Sequence, residues 1–123
     1  MTTKDKKILI IDDEQPILDM YSSALGDYTV MTAPDGEEGL NVARTEKPDL
    51  IYLDIIMPKI NGLDVLKKLK EDDKTSEIPV VLLTNLPEEA SKDKAKVLGA
   101  YDYFVKVNYE PDDLLEATKK ILR

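Results

Sequence analysis

The sequence contains no cysteine, no histidine and no tryptophan, and only one phenylalanine among its 123 residues. Without cysteine there is no disulfide framework and no thiolate chemistry, which fits a cytoplasmic location. Without histidine the chain lacks the usual general base and the commonest transition-metal ligand. Positive charge is also short: 17 Lys and Arg stand against 25 Asp and Glu, a formal net charge of −8. That balance argues against direct nucleic-acid binding, which needs a basic face. No apolar run approaches the about 20 residues that cross a bilayer, so membrane insertion is not expected. The opening residues, Met1-Thr2-Thr3-Lys4-Asp5-Lys6-Lys7, hold no apolar stretch of the signal-peptide kind and lead straight into a strand. Any chemistry has to run on carboxylates, lysine, hydroxyls and a hard cation.

What is present is a soluble globular balance, 42% hydrophobic and 34% charged, at a length suited to one domain over 1–123. The run Leu50-Ile51-Tyr52-Leu53 ends abruptly on Asp54, with Pro58 and Asn61-Gly62 close behind. A short apolar run bounded by turn residues reads as a strand buried on both faces. Lys7-Ile8-Leu9-Ile10-Ile11 is a second such strand, ending on Asp12-Asp13-Glu14. Further strands are predicted over 28–33, 79–84 and 101–106. Between them, Pro16 opens a helix that Gly26 stops, and helices follow over 37–45, 63–70, 87–98 and 111–121.

Five strands alternating with five helices specify a three-layer α/β domain with a mostly parallel sheet and right-handed crossovers. The flavodoxin-like, doubly wound strand order 2-1-3-4-5 is expected, with its switch point between strands 1 and 3. That topology brings Asp12, Asp13 and Asp54 together at the carboxyl ends of neighbouring strands. Three such carboxylates repel one another and lose hydration, so they call for a hard divalent cation, and Mg²⁺ suits carboxylates plus a phosphate oxygen. Thr84 ends strand 4 with a hydroxyl, and Lys106 ends strand 5 with an ammonium. Asp54 as nucleophile, with a metal, a hydroxyl and an ammonium around it, makes a phosphoryl-transfer site. Each residue alone has a plainer reading. Asp12-Asp13-Glu14 suits a helix start, Asp54 a strand-end cap, Thr84 and Lys106 ordinary strand positions, and Tyr103 a core or half-exposed sheet position. Only the ordered conjunction of all four strand ends favours the site.

On these motifs the sequence resembles a response-regulator receiver domain of two-component signalling, over essentially its whole length. The matching residues are Asp12-Asp13, Leu53-Asp54-Ile55-Ile56-Met57-Pro58 with Asn61-Gly62, Thr84 and Lys106. The resemblance implies that Asp54 is phosphorylated from a phosphohistidine on a sensor kinase or phosphotransfer protein. It implies Asp13 and Asp54 as Mg²⁺ ligands, Asp12 holding the metal largely through water, and the Ile56 carbonyl as a further ligand. Thr84 would hydrogen-bond the phosphoryl group and Lys106 would pair with it. Tyr103 matches the switch aromatic, which turns inward as Thr84 moves and so changes the face of helix 4, strand 5 and helix 5 for a downstream partner. Phosphorylation-linked pairing of two copies is a further expectation. The protein would be a switch that takes and loses a phosphoryl group rather than a turnover enzyme.

Two positions depart from the family pattern. The residue after the Thr is usually small, often Ala, but is Asn85 here. The Lys is usually followed by Pro, commonly through a cis bond, but Val107 follows it here. A cis bond without proline costs roughly 2.5–4 kcal/mol, so the loop is expected to depart from the usual geometry, with effects on rate or partner choice. Ile56 and Leu86 occupy positions that tune self-dephosphorylation in the family. Both are aliphatic here and cannot orient a hydrolytic water, so a long-lived phosphoryl group is expected. Helix 1, with Ile17, Met20 and Tyr21, is expected to dock the kinase.

Three other readings compete. A flavin-binding flavodoxin would need a Ser/Thr/Gly-rich loop after strand 1, where this chain has Asp-Asp-Glu-Gln-Pro. A haloacid-dehalogenase-type phosphatase would need Asp-x-Asp there. The third is a receiver-like interaction module that does not cycle phosphate. The last residue, Arg123, falls one helix after strand 5, which fits either a stand-alone receiver or a piece of a longer regulator.

Overall fold

Strands form where the side chains on both faces are apolar, and here the two faces sort by residue parity. Leu9, Ile11, Ile51, Leu53, Val80, Leu82 and Tyr103 pack into one core layer, and Ile8, Ile10, Leu50, Tyr52, Val81, Leu83 and Phe104 into the other. A computed structural model describes residues 5–123. The first four residues of the opening segment read above lie outside the described residues. Five parallel strands, β1 (Lys7–Ile11), β2 (Thr29–Ala33), β3 (Leu50–Leu53), β4 (Val80–Thr84) and β5 (Asp102–Val105), form a sheet in the order β2-β1-β3-β4-β5. The helices between and after them are α1 (Gln15–Ala24), α2 (Gly36–Glu46), α3 (Gly62–Glu71), α4 (Glu88–Val97) and α5 (Pro111–Leu122). This is the doubly wound, flavodoxin-like topology expected from the sequence.

Helices α1 and α5 supply Leu18, Tyr21 and Leu114 to the second layer, and α2, α3 and α4 supply Ala43, Val65, Leu66, Leu69 and Ala95 to the first. Local chemistry sets several helix starts. Asp35 accepts from the Glu38 amide at 2.9 Å to cap α2, and Asn61 accepts from the Asp64 amide at 3.1 Å to cap α3. Between β3 and α5, the Tyr52 and Thr118 hydroxyls bond at 2.6 Å, so a polar group in the core keeps its partner.

The structure corrects two strand boundaries and bears out two other expectations. The helix does stop at Gly26, though without a left-handed residue: α1 ends at Ala24, Leu25 caps it by donating to the Tyr21 carbonyl at 3.0 Å, and Gly99 has the only positive φ among the described glycines. Strand β2 starts at Thr29, because Tyr28 bonds back to the Leu25 carbonyl. Strand β5 covers only Asp102–Val105, and Lys106 opens a 3₁₀ turn, Lys106–Asn108. As expected without a proline at 107, no cis peptide bond occurs among the described residues, and the bond between Lys106 and Val107 is trans.

The β3–α3 connection crosses directly behind the end of β3. A Cβ on Gly62 would lie 2.0 Å from the Asp54 carbonyl oxygen and 2.7 Å from Ile55 Cα, and neither backbone atom can swing aside. Gly62→Ala is therefore expected to lower stability by roughly 1–3 kcal/mol or more, the usual scale of overpacking. Gly26→Ala, at an exposed turn without a positive φ, is expected to change it by no more than about 0.5 kcal/mol. Urea unfolding midpoints of the two variants check this ranking, and equal effects would contradict it.

Candidate functional site

The site is built by register. Ile11 pairs with Leu53, so β1 and β3 end at the same level and the next residues, Asp12 and Asp54, lie side by side. The Asp54 amide donates to the Ile11 carbonyl at 3.0 Å and the Asp12 amide to the Ala33 carbonyl at 3.1 Å, which extends the ladder to the carboxylates themselves. Two strands further, Thr84 pairs with Val105, which leaves Lys106 one residue beyond the sheet. Asp12, Asp13 and Asp54 each offer a carboxylate oxygen within 4.8 Å of the others. Asp12 and Asp54 are buried, while Asp13 is exposed.

The Lys106 ammonium lies 2.6 Å from Asp12 Oδ2 and 3.0 Å from Asp54 Oδ2. The other carboxylate oxygens face backbone amides. Asp54 Oδ1 accepts from Ile55 at 2.7 Å and from Ile56 at 3.4 Å, and Asp12 Oδ1 accepts from Glu14 at 2.9 Å. Burial pushes the Asp12 carboxyl above its ordinary value, against the opposing pull of Lys106 and the Glu14 amide. For Lys106, burial favours loss of the proton, but its hydrogen bond to Asp12 and the charge of Asp54 prevail, so its pKa is raised. The ammonium keeps its charge.

One ammonium cannot neutralise three carboxylates, and the oxygen-only donor set is what a hard divalent cation prefers. The residues present therefore fit Mg²⁺.

Thr84 is fully buried, and its Oγ1 accepts from the Leu86 amide at 3.2 Å. Tyr103 is turned inward and 4% exposed. Its hydroxyl donates to the Leu86 carbonyl at 2.8 Å and lies 2.6 Å from Ser91 Oγ. The structure thus brings together Asp12, Asp13, Asp54 and Lys106, and links Thr84 to Tyr103 through Leu86. The Ile56 side chain is 60% exposed at the rim. Tyr21 does not belong to an exposed docking face: it is buried, and its hydroxyl donates to the Tyr109 carbonyl at 3.1 Å.

One contact of a residue already singled out, and one further residue, escaped the sequence reading. Asn85 uses Oδ1 to accept from the Val107 amide at 3.2 Å. Ser91, buried on the otherwise polar α4, meets Tyr103. The small residues Ser91 and Ala95, four apart, were the available signal, since they mark the buried face of that helix.

Known proteins carry the same arrangement of elements. The chain is 42% identical over 121 residues to the alkaline phosphatase synthesis transcriptional regulatory protein PhoP of Bacillus subtilis, with 97% of this chain and 49% of that protein covered. It is 38% identical over 120 residues to the phosphate regulon transcriptional regulatory protein PhoB of Pseudomonas aeruginosa, with 96% and 52% covered. The chain thus spans about half the length of the curated relatives it matches. Among solved structures, the chemotaxis protein CheY4 of Vibrio cholerae aligns with a TM-score of 0.88 at 32% identity, over 95% of this chain and 98% of that one. The family model described as response regulator receiver domain matches residues 8–119, and with the relatives above it shows that this chain belongs to the response regulator receiver domains.

Proposed function

We propose that Asp54 accepts a phosphoryl group from a phosphohistidine on a sensor kinase or phosphotransfer protein. The observation that carries this reading is the buried Asp54 carboxylate, paired with Lys106 inside a cluster of three carboxylates. An Asp54 oxygen attacks phosphorus as the donor's N–P bond breaks. The electron pair of that bond stays on the imidazole nitrogen, and Asp54 becomes an acyl phosphate. The Ile55 and Ile56 amides fix the carboxylate through Oδ1. Lys106 offsets the charge that builds up on the phosphoryl oxygens, and the Thr84 hydroxyl donates to one of them. Asp13, Asp54 and the Ile56 carbonyl would hold Mg²⁺, with Asp12 acting largely through water, and the cation would supply further neutralisation of the phosphoryl charge.

Nothing in the site favours an interaction module that has lost phosphate cycling. Partner surfaces follow from exposure. Met20 and Val107 are exposed at the rim beside α1, with Ile17 half-buried between, and form the proposed kinase-docking patch. Val97 and Tyr101, 86% and 59% exposed, lie on the α4–β5–α5 side proposed to meet a downstream protein or a second copy. Among the described residues no helix is long and apolar enough to cross a membrane, which accords with the proposed action in the cytoplasm.

Intact mass after incubation with acetyl phosphate tests the central reading. One added phosphoryl group is expected with Mg²⁺ on the wild type, and none with EDTA or on Asp54→Asn; an adduct on Asp54→Asn would overturn the assignment.

The aliphatic side chains of Ile56 and Leu86 offer no hydrogen bond to an attacking water, so the acyl phosphate is expected to persist. Ile56→Asn with Leu86→Glu should speed its decay several-fold, and an unchanged decay rate would contradict the explanation. Ser91 and the Leu86 carbonyl together hold Tyr103 inward. Ser91→Ala should therefore destabilise the fold by about 0.5–1.5 kcal/mol, and in a Tyr103→Phe background that effect should shrink. Urea unfolding of the four proteins measures the coupling, and full additivity would show that the hydroxyl pair contributes nothing.

A further inference from the structure

Lys106 has to hold its ammonium within 3.0 Å of two carboxylates, yet its backbone has already left the sheet. The last ladder pair is Thr84 with Val105. Beyond it the chain forms the 3₁₀ turn Lys106–Asn108, closed by the Tyr109 amide donating to the Lys106 carbonyl at 3.0 Å. The first amides of any helical turn have no acceptor inside it. In this turn the Val107 amide donates to Asn85 Oδ1 at 3.2 Å. The Val107 side chain is 78% exposed and anchors the turn through no packing of its own. The hydrogen bond therefore ties the residue after Thr84 to the residue after Lys106.

We propose that Asn85 is a positioning residue for phosphoryl acceptance: through the Val107 amide it fixes the turn that aims Lys106 at Asp54. The two residues act as a pair. A proline at 107 would offer no N–H, and an alanine at 85 would offer no acceptor. Asn85 and Val107, each unusual alone, thus explain one another. The side chain acts through its acceptor oxygen and not through its bulk over Asp54, and that distinction makes the role testable. The proposal rests on the phosphoacceptor reading of Asp54 given above.

The experiment compares wild type with Asn85→Ala, Asn85→Leu and Asn85→Asp, using Val107 amide hydrogen exchange by NMR and phosphorylation rates with acetyl phosphate and phosphoramidate. Thermal midpoints serve as the folding control. Leu matches Asn in reach without an acceptor, whereas Asp keeps the oxygen in place. The Val107 amide should be protected in the wild type and in Asn85→Asp, and should exchange faster in Asn85→Ala and Asn85→Leu. Both of these should take the phosphoryl group about three- to tenfold more slowly, the scale of one lost hydrogen bond. The Lys106 ammonium signal should broaden in the same two variants. A wild-type rate in Asn85→Leu, or an equally exchanging Val107 amide in wild type and Asn85→Ala, would overturn the proposal while leaving Asp54 as phosphoacceptor. Failure of the wild type to gain a phosphoryl group from either donor would instead overturn the phosphoacceptor reading itself.

Discussion

Lys106 sits between Asp12 and Asp54 with all three side chains almost out of water, at 8%, 2% and 4% exposure. Desolvating an ion costs several kcal/mol, and in the interior mutual attraction compensates only when geometry and hydrogen bonding are both good. Here they are. Each carboxylate gives one oxygen to the ammonium and the other to backbone amides, and no buried side-chain polar atom among the described residues lacks a partner. Two carboxylates against one ammonium leave one negative charge over, and exposed Asp13 adds another. The cluster is stable enough to persist and short enough of positive charge to take up a cation. That combination requires three strands to end within a side chain's reach of one another, which the registers of β1 with β3 and of β4 with β5 supply. The glycine at 62 has the same cause, because the chain leaving β3 doubles back against the Asp54 carbonyl.

Much of this was legible in the sequence. Runs such as Leu50-Ile51-Tyr52-Leu53 have no polar residue to place in water, so they had to be strands covered on both sides. Parallel strands with helical crossovers then admit few orders. Once the order is fixed, strand ends become neighbours, and Asp12, Asp13, Asp54 and Lys106 converge as expected. The flavin-binding and phosphatase alternatives gave way on the same ground, since the acidic residues after β1 gather beside Asp54 on β3. What the sequence concealed were contacts that leave no periodicity. Asn85 and Val107 are 22 positions apart, and only the path of two loops brings an amide oxygen to an amide hydrogen. Tyr21 looked like surplus apolar surface because its hydroxyl partner is a backbone carbonyl at 109, which no side-chain pattern announces.

The segment after β4 gathers the connections that register alone does not make. Thr84 Oγ1 accepts from the Leu86 amide, and the Leu86 carbonyl accepts from Tyr103. One peptide segment therefore reports to the buried hydroxyl on one side and to the aromatic on the other. A ligand shifts a protein between conformers only by contacting them differently. In the proposed phosphoacceptor role the Thr84 hydroxyl would make such a contact, and its bond to the Leu86 amide is the one that such a turn would disturb. Movement of Thr84 would alter the Leu86 amide, and with it the carbonyl that helps hold Tyr103 against Ser91 on α4.

Thr84, Asn85 and Leu86 thus divide the work of one short loop. Thr84 ends β4 and accepts from the Leu86 amide, Asn85 holds the turn that carries Lys106, and Leu86 meets Tyr103. The three contacts differ in exposure, which sets how each responds to change. The Tyr103–Ser91 bond is buried, while the Asn85–Val107 bond lies at the surface, where it shields its amide less strongly than a buried bond does. A phosphoryl group beside Lys106 would draw the ammonium toward itself and load the exposed tie first. The site's electrostatics and its mechanical support therefore meet at the end of β4. A residue there that neither reacts nor ligates, such as Asn85, can govern how fast the acceptor works.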